Sequence, residues 1–162
     1  MLLFVLFVFS SMKEHLLEIL AVDDDPGVLK SLNVVFDGVY KLHSAANAGE
    51  CLAFLDSRDV PLLILDLGLP DMDGLELLKK SKEINPAMEI IVLTANTSLD
   101  SGVEAMRLGA YDYMVKPFDV DKLTLVVKNA LEKAGLKSEV RYHRTMNVDR
   151  ERKLVGLSWA MK

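Results

Sequence analysis

The chain has a single cysteine, Cys51, which excludes an intramolecular disulfide framework and any multi-cysteine zinc site. Its three histidines, His15, His43 and His143, stand far apart and lack metal-ligand spacing. No apolar run approaches the ~20 residues that a membrane-spanning helix needs. The apolar opening, "MLLFVLFVF", has nine, with no Lys or Arg before it and no small-residue cleavage site after it. The preferred reading is a functional start at Met12-Lys13-Glu14 with residues 1–11 as an upstream extension; a membrane anchor is the rival. Positive charge is also missing from the body. Residues 1–132 carry a net charge of −10, whereas residues 133–162 carry +5. An acidic body has no patch with which to neutralise nucleic-acid phosphates, and the basic tail reads as a solvated linker.

What is present is a regular alternation. With 51% hydrophobic residues, the 162-residue chain can build one domain with something left over. Strand-like runs occur at Leu17–Val22, Tyr40–Ser44, Leu62–Leu65, Ile90–Leu93 and Tyr111–Val115. Between and after them, Gly27–Phe36, Ala48–Leu55, Gly74–Glu83, Leu99–Leu108 and Asp119–Glu132 have apolar residues at helical spacing. In the third helix Leu75, Leu77, Leu78 and Ile84 are expected on the inner face, with Glu76, Lys79, Lys80, Lys82 and Glu83 facing out. Five strand–helix repeats predict an α/β fold, a doubly wound parallel sheet with helices on both faces.

The polar residues that end the strands carry the functional signal. The first strand runs into Asp23-Asp24-Asp25, the third into Asp66, the fourth into Thr94 and the fifth into Lys116-Pro117. In an open parallel sheet these carboxyl ends share one edge, where ligands bind. Three carboxylates brought together either bind a cation or hold a proton, and an all-oxygen site with few protein ligands suits Mg²⁺. A hydroxyl (Thr94) and an ammonium (Lys116) opposite them suit an incoming phosphoryl group. An Asp whose charge is neutralised by the metal can attack phosphorus and carry an aspartyl-phosphate.

The segments "ILAVDDDP", "LLILDLGLPDMDG", "IIVLTA" and "GAYDYMVKPF", in this order and spacing, resemble the receiver domain of two-component response regulators. The resemblance covers about residues 16–133 and implies a flavodoxin-like (βα)5 fold with strand order 2-1-3-4-5. It implies that Asp66 is the phosphoacceptor. Mg²⁺ would be held by Asp24, Asp66 and the main-chain carbonyl of Gly68, with Asp23 acting through a metal-bound water. Thr94 and Lys116 would receive the phosphoryl oxygens, Tyr113 would be the aromatic switch, and the Lys116-Pro117 bond would be cis. On this reading the chain is a cytoplasmic phosphoacceptor rather than an enzyme with turnover, promoting its own phosphorylation and dephosphorylation. Its partner would be a sensor histidine kinase or phosphotransfer protein. No nucleic acid or membrane contact is expected, and a homodimer would form through the surface of the fourth helix, fifth strand and fifth helix. A degenerate receiver serving only as a dimerisation or interaction module is the competing reading.

The flanks are assigned to an N-terminal extension (1–15) and a linker or tail (134–162). Within the tail, "LVGLSWAMK" resembles the opening of the ATPase domain of alternative-sigma-factor activators, with Trp159 where proline is usual. A haloacid-dehalogenase-type phosphatase would want an acid two positions after its nucleophile, where Gly68 stands. A flavodoxin-like electron carrier would want a Ser/Thr/Gly-rich loop where three aspartates stand, and they would repel a flavin phosphate.

Overall fold

The computed structural model describes residues 16–137. The N-terminal extension and all of the tail beyond 137, including the ATPase-like run, lie outside the described residues. Five strands and five helices alternate: β1 (Glu18–Val22), α1 (Pro26–Phe36), β2 (Lys41–Ala45), α2 (Ala48–Ser57), β3 (Leu62–Leu65), α3 (Gly74–Ile84), β4 (Glu89–Thr94), α4 (Leu99–Arg107), β5 (Asp112–Val115) and α5 (120–137). The strands form one sheet in the order β2-β1-β3-β4-β5, every pair parallel. This is the flavodoxin-like architecture expected from the sequence. No helix among the described residues is long and apolar enough to cross a membrane.

The strands β1, β3 and β4 read as apolar runs because helices cover both faces of the sheet. Leu20, Val22, Leu63, Leu65, Ile90 and Val92 point to one side and pack with Cys51 and Leu55 of α2 and Leu77 and Leu78 of α3. Ile19, Ala21, Leu62, Ile64, Ile91 and Leu93 point to the other, against Leu32 and Phe36 of α1 and Leu123, Val127 and Leu131 of α5. Cys51 is fully buried, and burial pushes its thiol up to about 12, which leaves it packing and not chemistry.

Short polar side chains start the helices. Asp25 accepts the Gly27 amide at 2.8 Å, with Pro26 in the first turn of α1. Asp73 accepts the amides of Leu75 (2.8 Å) and Glu76 (3.2 Å) and so caps α3, as its position suggests. Asp71 does something less local: its carboxylate accepts the amides of Ala48 and Gly49, each at 2.9 Å, tying the β3–α3 loop to the start of α2. These bonds hold the Asp71 carboxyl below its ordinary range.

The structure corrects the expected face of α3. Leu77, Leu78 and Ser81 are buried, whereas Ile84, the last residue of α3, is 43% exposed. Lys82 does not face solvent; its side chain is folded inward. The fourth strand begins one residue earlier than its apolar run, at a buried Glu89, and α5 continues through residue 137.

Gly74 sets the approach of α3 to the end of β3. A Cβ at this position would lie 2.3 Å from the Leu67 Cα, an impossible contact with main chain. At Gly68 a Cβ would meet only the Asp66 carboxylate oxygens, at 3.7 and 3.9 Å, an ordinary contact. Gly74→Ala is therefore expected to lower stability by about 2 kcal/mol, while Gly68→Ala stays within about 0.5 kcal/mol. Urea denaturation of both variants, read by far-UV circular dichroism, checks the difference.

Candidate functional site

Strand geometry brings the expected residues together. Asp23 follows β1, Asp66 follows β3, Thr94 ends β4 and Lys116 follows β5, and these four ends are adjacent at the carboxyl edge of the sheet. They line an open cleft of about 440 Å³ with Asp24, Asp25, Gly68, Asp73, Ala95, Asn96 and Ser101. Asp23 (3% exposed), Asp66 (7%) and Thr94 (1%) are buried, whereas Asp24 is exposed at the mouth.

Two carboxylates in such burial need a counter-charge. Lys116 supplies it: its Nζ donates to Asp23 Oδ2 at 2.6 Å and to Asp66 Oδ2 at 3.0 Å. Main-chain amides take the other oxygens, Asp25 N–H donating to Asp23 Oδ1 (3.0 Å) and Gly68 N–H to Asp66 Oδ1 (3.2 Å). Burial pushes the Asp23 carboxyl above its ordinary range even against the opposing hydrogen bonds from Lys116 and the Asp25 amide. Lys116 is itself desolvated, which alone would lower it, but its two carboxylate partners outweigh this and hold the ammonium above its usual value. The Lys116-Pro117 peptide bond is cis.

The donor set fits a hard divalent cation. One oxygen each from Asp23, Asp24 and Asp66 lie within 4.8 Å of one another. Octahedral Mg²⁺ with bonds of about 2.1 Å spaces its ligand oxygens about 3 Å apart when adjacent and about 4.2 Å when opposite, so three such groups can enter one shell. Asp24 stands on the open side, where solvent could supply the remaining ligands. Gly68 lines the same cleft without a side chain to obstruct it.

A chain of contacts leads from the cleft to α4. Thr94 Oγ1 accepts from the Asn96 amide at 3.2 Å, and the Tyr113 hydroxyl donates to the Asn96 carbonyl at 2.6 Å. Asn96 Oδ1 accepts the Ser98 amide (2.8 Å) and its Nδ2 donates to Ser101 Oγ (3.0 Å). Ser98, the N-cap of α4, makes no side-chain cap of its own. Asn96 therefore organises the start of α4, a role its sequence position does not suggest. The Tyr113 ring lies against Gly102 of α4, and burial, with the Asp66 charge added, pushes its hydroxyl up.

An open α/β sheet with three aspartates, a buried threonine and a bridging lysine at its carboxyl edge is the arrangement that the receiver-domain resemblance implies. The chain belongs to the response regulator receiver domain family, whose model matches residues 19–128, and it is therefore a component of phosphorelay signalling. It is similar to the regulatory protein AtoC of Escherichia coli (35% identical over 126 residues, 76% of this chain and 27% of the relative). It is also similar to the DNA-binding transcriptional regulator NtrC of Salmonella typhimurium (38% over 111 residues, 68% and 24%). Among solved structures, a CheY-like receiver domain from Methanospirillum hungatei superposes with a TM-score of 0.71 at 36% identity, over 75% of this chain and 98% of that one. NtrX from Brucella abortus, in complex with ADP, gives 0.71 at 34%, over 76% of this chain and 29% of that one. The chain spans about a quarter of the length of the curated relatives it matches.

Removing the counter-charge tests the electrostatic account. Lys116→Met leaves Asp23 and Asp66 buried without their ammonium and is expected to cost about 3 kcal/mol of stability. Millimolar Mg²⁺ should restore part of it, because a cation can replace the lost charge. Urea midpoints with and without Mg²⁺ check both statements.

Proposed function

We propose that Asp66 accepts a phosphoryl group and that the resulting charge is read by Thr94, Asn96 and Tyr113 as a change at α4, β5 and α5. The observation that carries this reading is the Lys116 ammonium shared between Asp23 and Asp66 beside a buried Thr94. Asp66 Oδ attacks phosphorus of the donor; the bond from phosphorus to the leaving group breaks, and the leaving group keeps the electron pair. The acceptor is then an acyl phosphate. Mg²⁺, held by Asp24, Asp66 and the Gly68 carbonyl, with Asp23 through a water, would supply the charge neutralisation that lets one anion approach another. Lys116 would turn from Asp66 to a phosphoryl oxygen and keep Asp23 as its second partner.

Downstream, the Thr94 hydroxyl would leave the Asn96 amide to donate to the phosphoryl group. Asn96 also accepts the Tyr113 hydroxyl and holds the start of α4, so its release is the coupling step. Phosphorylation needs a differential effect of about 5.5 kcal/mol to carry a 1:99 equilibrium to 99:1. The chain is thus a phosphoacceptor that promotes its own phosphorylation and dephosphorylation. Its donor would be a sensor histidine kinase or phosphotransfer protein in the cytoplasm, and homodimerisation would use the α4–β5–α5 face. The unit that does this would be residues 16–137 and not 16–133, because α5 continues through residue 137, with 138–162 as linker. The transcriptional-regulator names of the relatives support an output in gene control.

Incubating the chain with Mg²⁺ and acetyl phosphate should add about 80 Da by intact mass, the mass of one phosphoryl group on one acceptor. Chelation of the metal or Asp66→Asn should abolish the adduct. An adduct retained in Asp66→Asn would overturn the assignment.

A further inference from the structure

The opposite edge of the sheet holds a charged cluster that phosphoryl chemistry does not use. Glu89, the first residue of β4, is 1% exposed. It lies five residues before Thr94, about 16 Å from the cleft at ~3.3 Å per residue. Three ammonium groups surround its carboxylate. Lys137 donates to Oε1, Lys133 lies 3.5 Å from the same oxygen, and Lys82 of α3 lies 3.8 Å from Oε2. Lys82 also donates to the Met88 carbonyl at 2.6 Å, and Lys133 sits 5.0 Å over the Tyr111 ring.

The arrangement is specific to α5. Glu18, at the same edge, also has three basic neighbours, Lys41 (2.8 Å), His43 (2.9 Å) and Arg58 (3.6 Å), but its side chain is 32% exposed and none of its partners lies on α5. Exposed pairs of that kind contribute little. Glu89 is desolvated, so its partners are not interchangeable with water. Two of the three, Lys133 and Lys137, lie four residues apart on one face of α5. Burial lowers the Lys82 ammonium, and the two α5 lysines beside it act in the same direction, against the raising effect of Glu89. A single buried carboxylate thus balances three cations.

We infer that Glu89 is an anchor that locks residues 130–137 of α5 onto the amino edge of the sheet, fixing this stretch of the helix relative to β4. Near the other end of α5, Leu123 is fully buried in the core that holds Ile91 and Leu93, so the helix is held towards both edges of the sheet. It then acts as a rigid strut between the cleft edge of the sheet and the Glu89 edge. This inference does not depend on phosphorylation.

Hydrogen exchange on the full 162-residue chain tests it, comparing wild type with Glu89→Gln and with the double variant Lys133→Met/Lys137→Met. Exchange at amides 130–137 is expected to accelerate at least tenfold in both, while β1, β3 and α2 keep their protection. The double variant leaves Glu89 paired with Lys82, so it separates unlatching from loss of the fold if Glu89→Gln is too unstable to examine. Exchange at 130–137 within twofold of wild type in the double variant would overturn the anchor. So would equal acceleration across the whole sheet there, since the cluster would then be a general stabiliser.

Discussion

Lys116 stands between two buried carboxylates that come from strands 93 and 50 positions away in sequence. Without its ammonium, Asp23 and Asp66 would face each other in a poorly hydrated pocket, and one would hold a proton or the strand ends would part. With it, three strand termini converge and a cleft with an acidic floor persists. The same contact gives the cleft its chemical character. On the proposed reading a cation would sit where the carboxylates meet, and an anion would be received between Lys116 and Thr94, which line the same cleft. Metal and phosphoryl group would thus share one pocket, each supplying the charge the other lacks.

The order of strands in the sheet makes this convergence possible. Parallel strands place every carboxyl end at one edge, and the β2-β1-β3-β4-β5 order puts β1 and β3 side by side at the centre. Gly74 lets α3 start almost on top of Leu67, which holds the segment after Asp66 close to the sheet. Asp71 ties the same loop to α2. Asp66 is therefore braced from both sides while Asp24 and Gly68 remain open. Apolar side chains of α4, Leu99, Val103 and Met106, are exposed on the helix whose start Asn96 holds.

Much of this was legible in the residues because buried strands that end on charged or hydroxyl side chains are rare without a reason. Asp23, Asp66, Thr94 and Lys116 each follow or end an apolar run, and the topology does the rest. The parts that were not legible depend on contacts distant in sequence or on a single residue outside a pattern. Glu89 precedes its apolar run by one position and so reads as loop. Lys82 lies on the polar side of the α3 pattern, yet its ammonium folds back to the Met88 carbonyl and Glu89. Ser81, one turn after Leu77 and Leu78, takes the buried place expected of Ile84, which is the exposed last residue of the helix. Asn96 and Asp71 look like ordinary turn residues until their partners are seen.

The central claim is that a phosphoryl-like charge on Asp66 is read through Thr94 and Asn96 into α4. Amide NMR spectra with Mg²⁺, before and after addition of beryllofluoride as a phosphoryl mimic, test it most directly. The account predicts shifts at Thr94, Asn96 and Tyr113 and along Leu99–Arg107, absent in Asp66→Asn. Shifts confined to Asp23, Asp24, Asp66 and Lys116, with α4 unchanged, would contradict it.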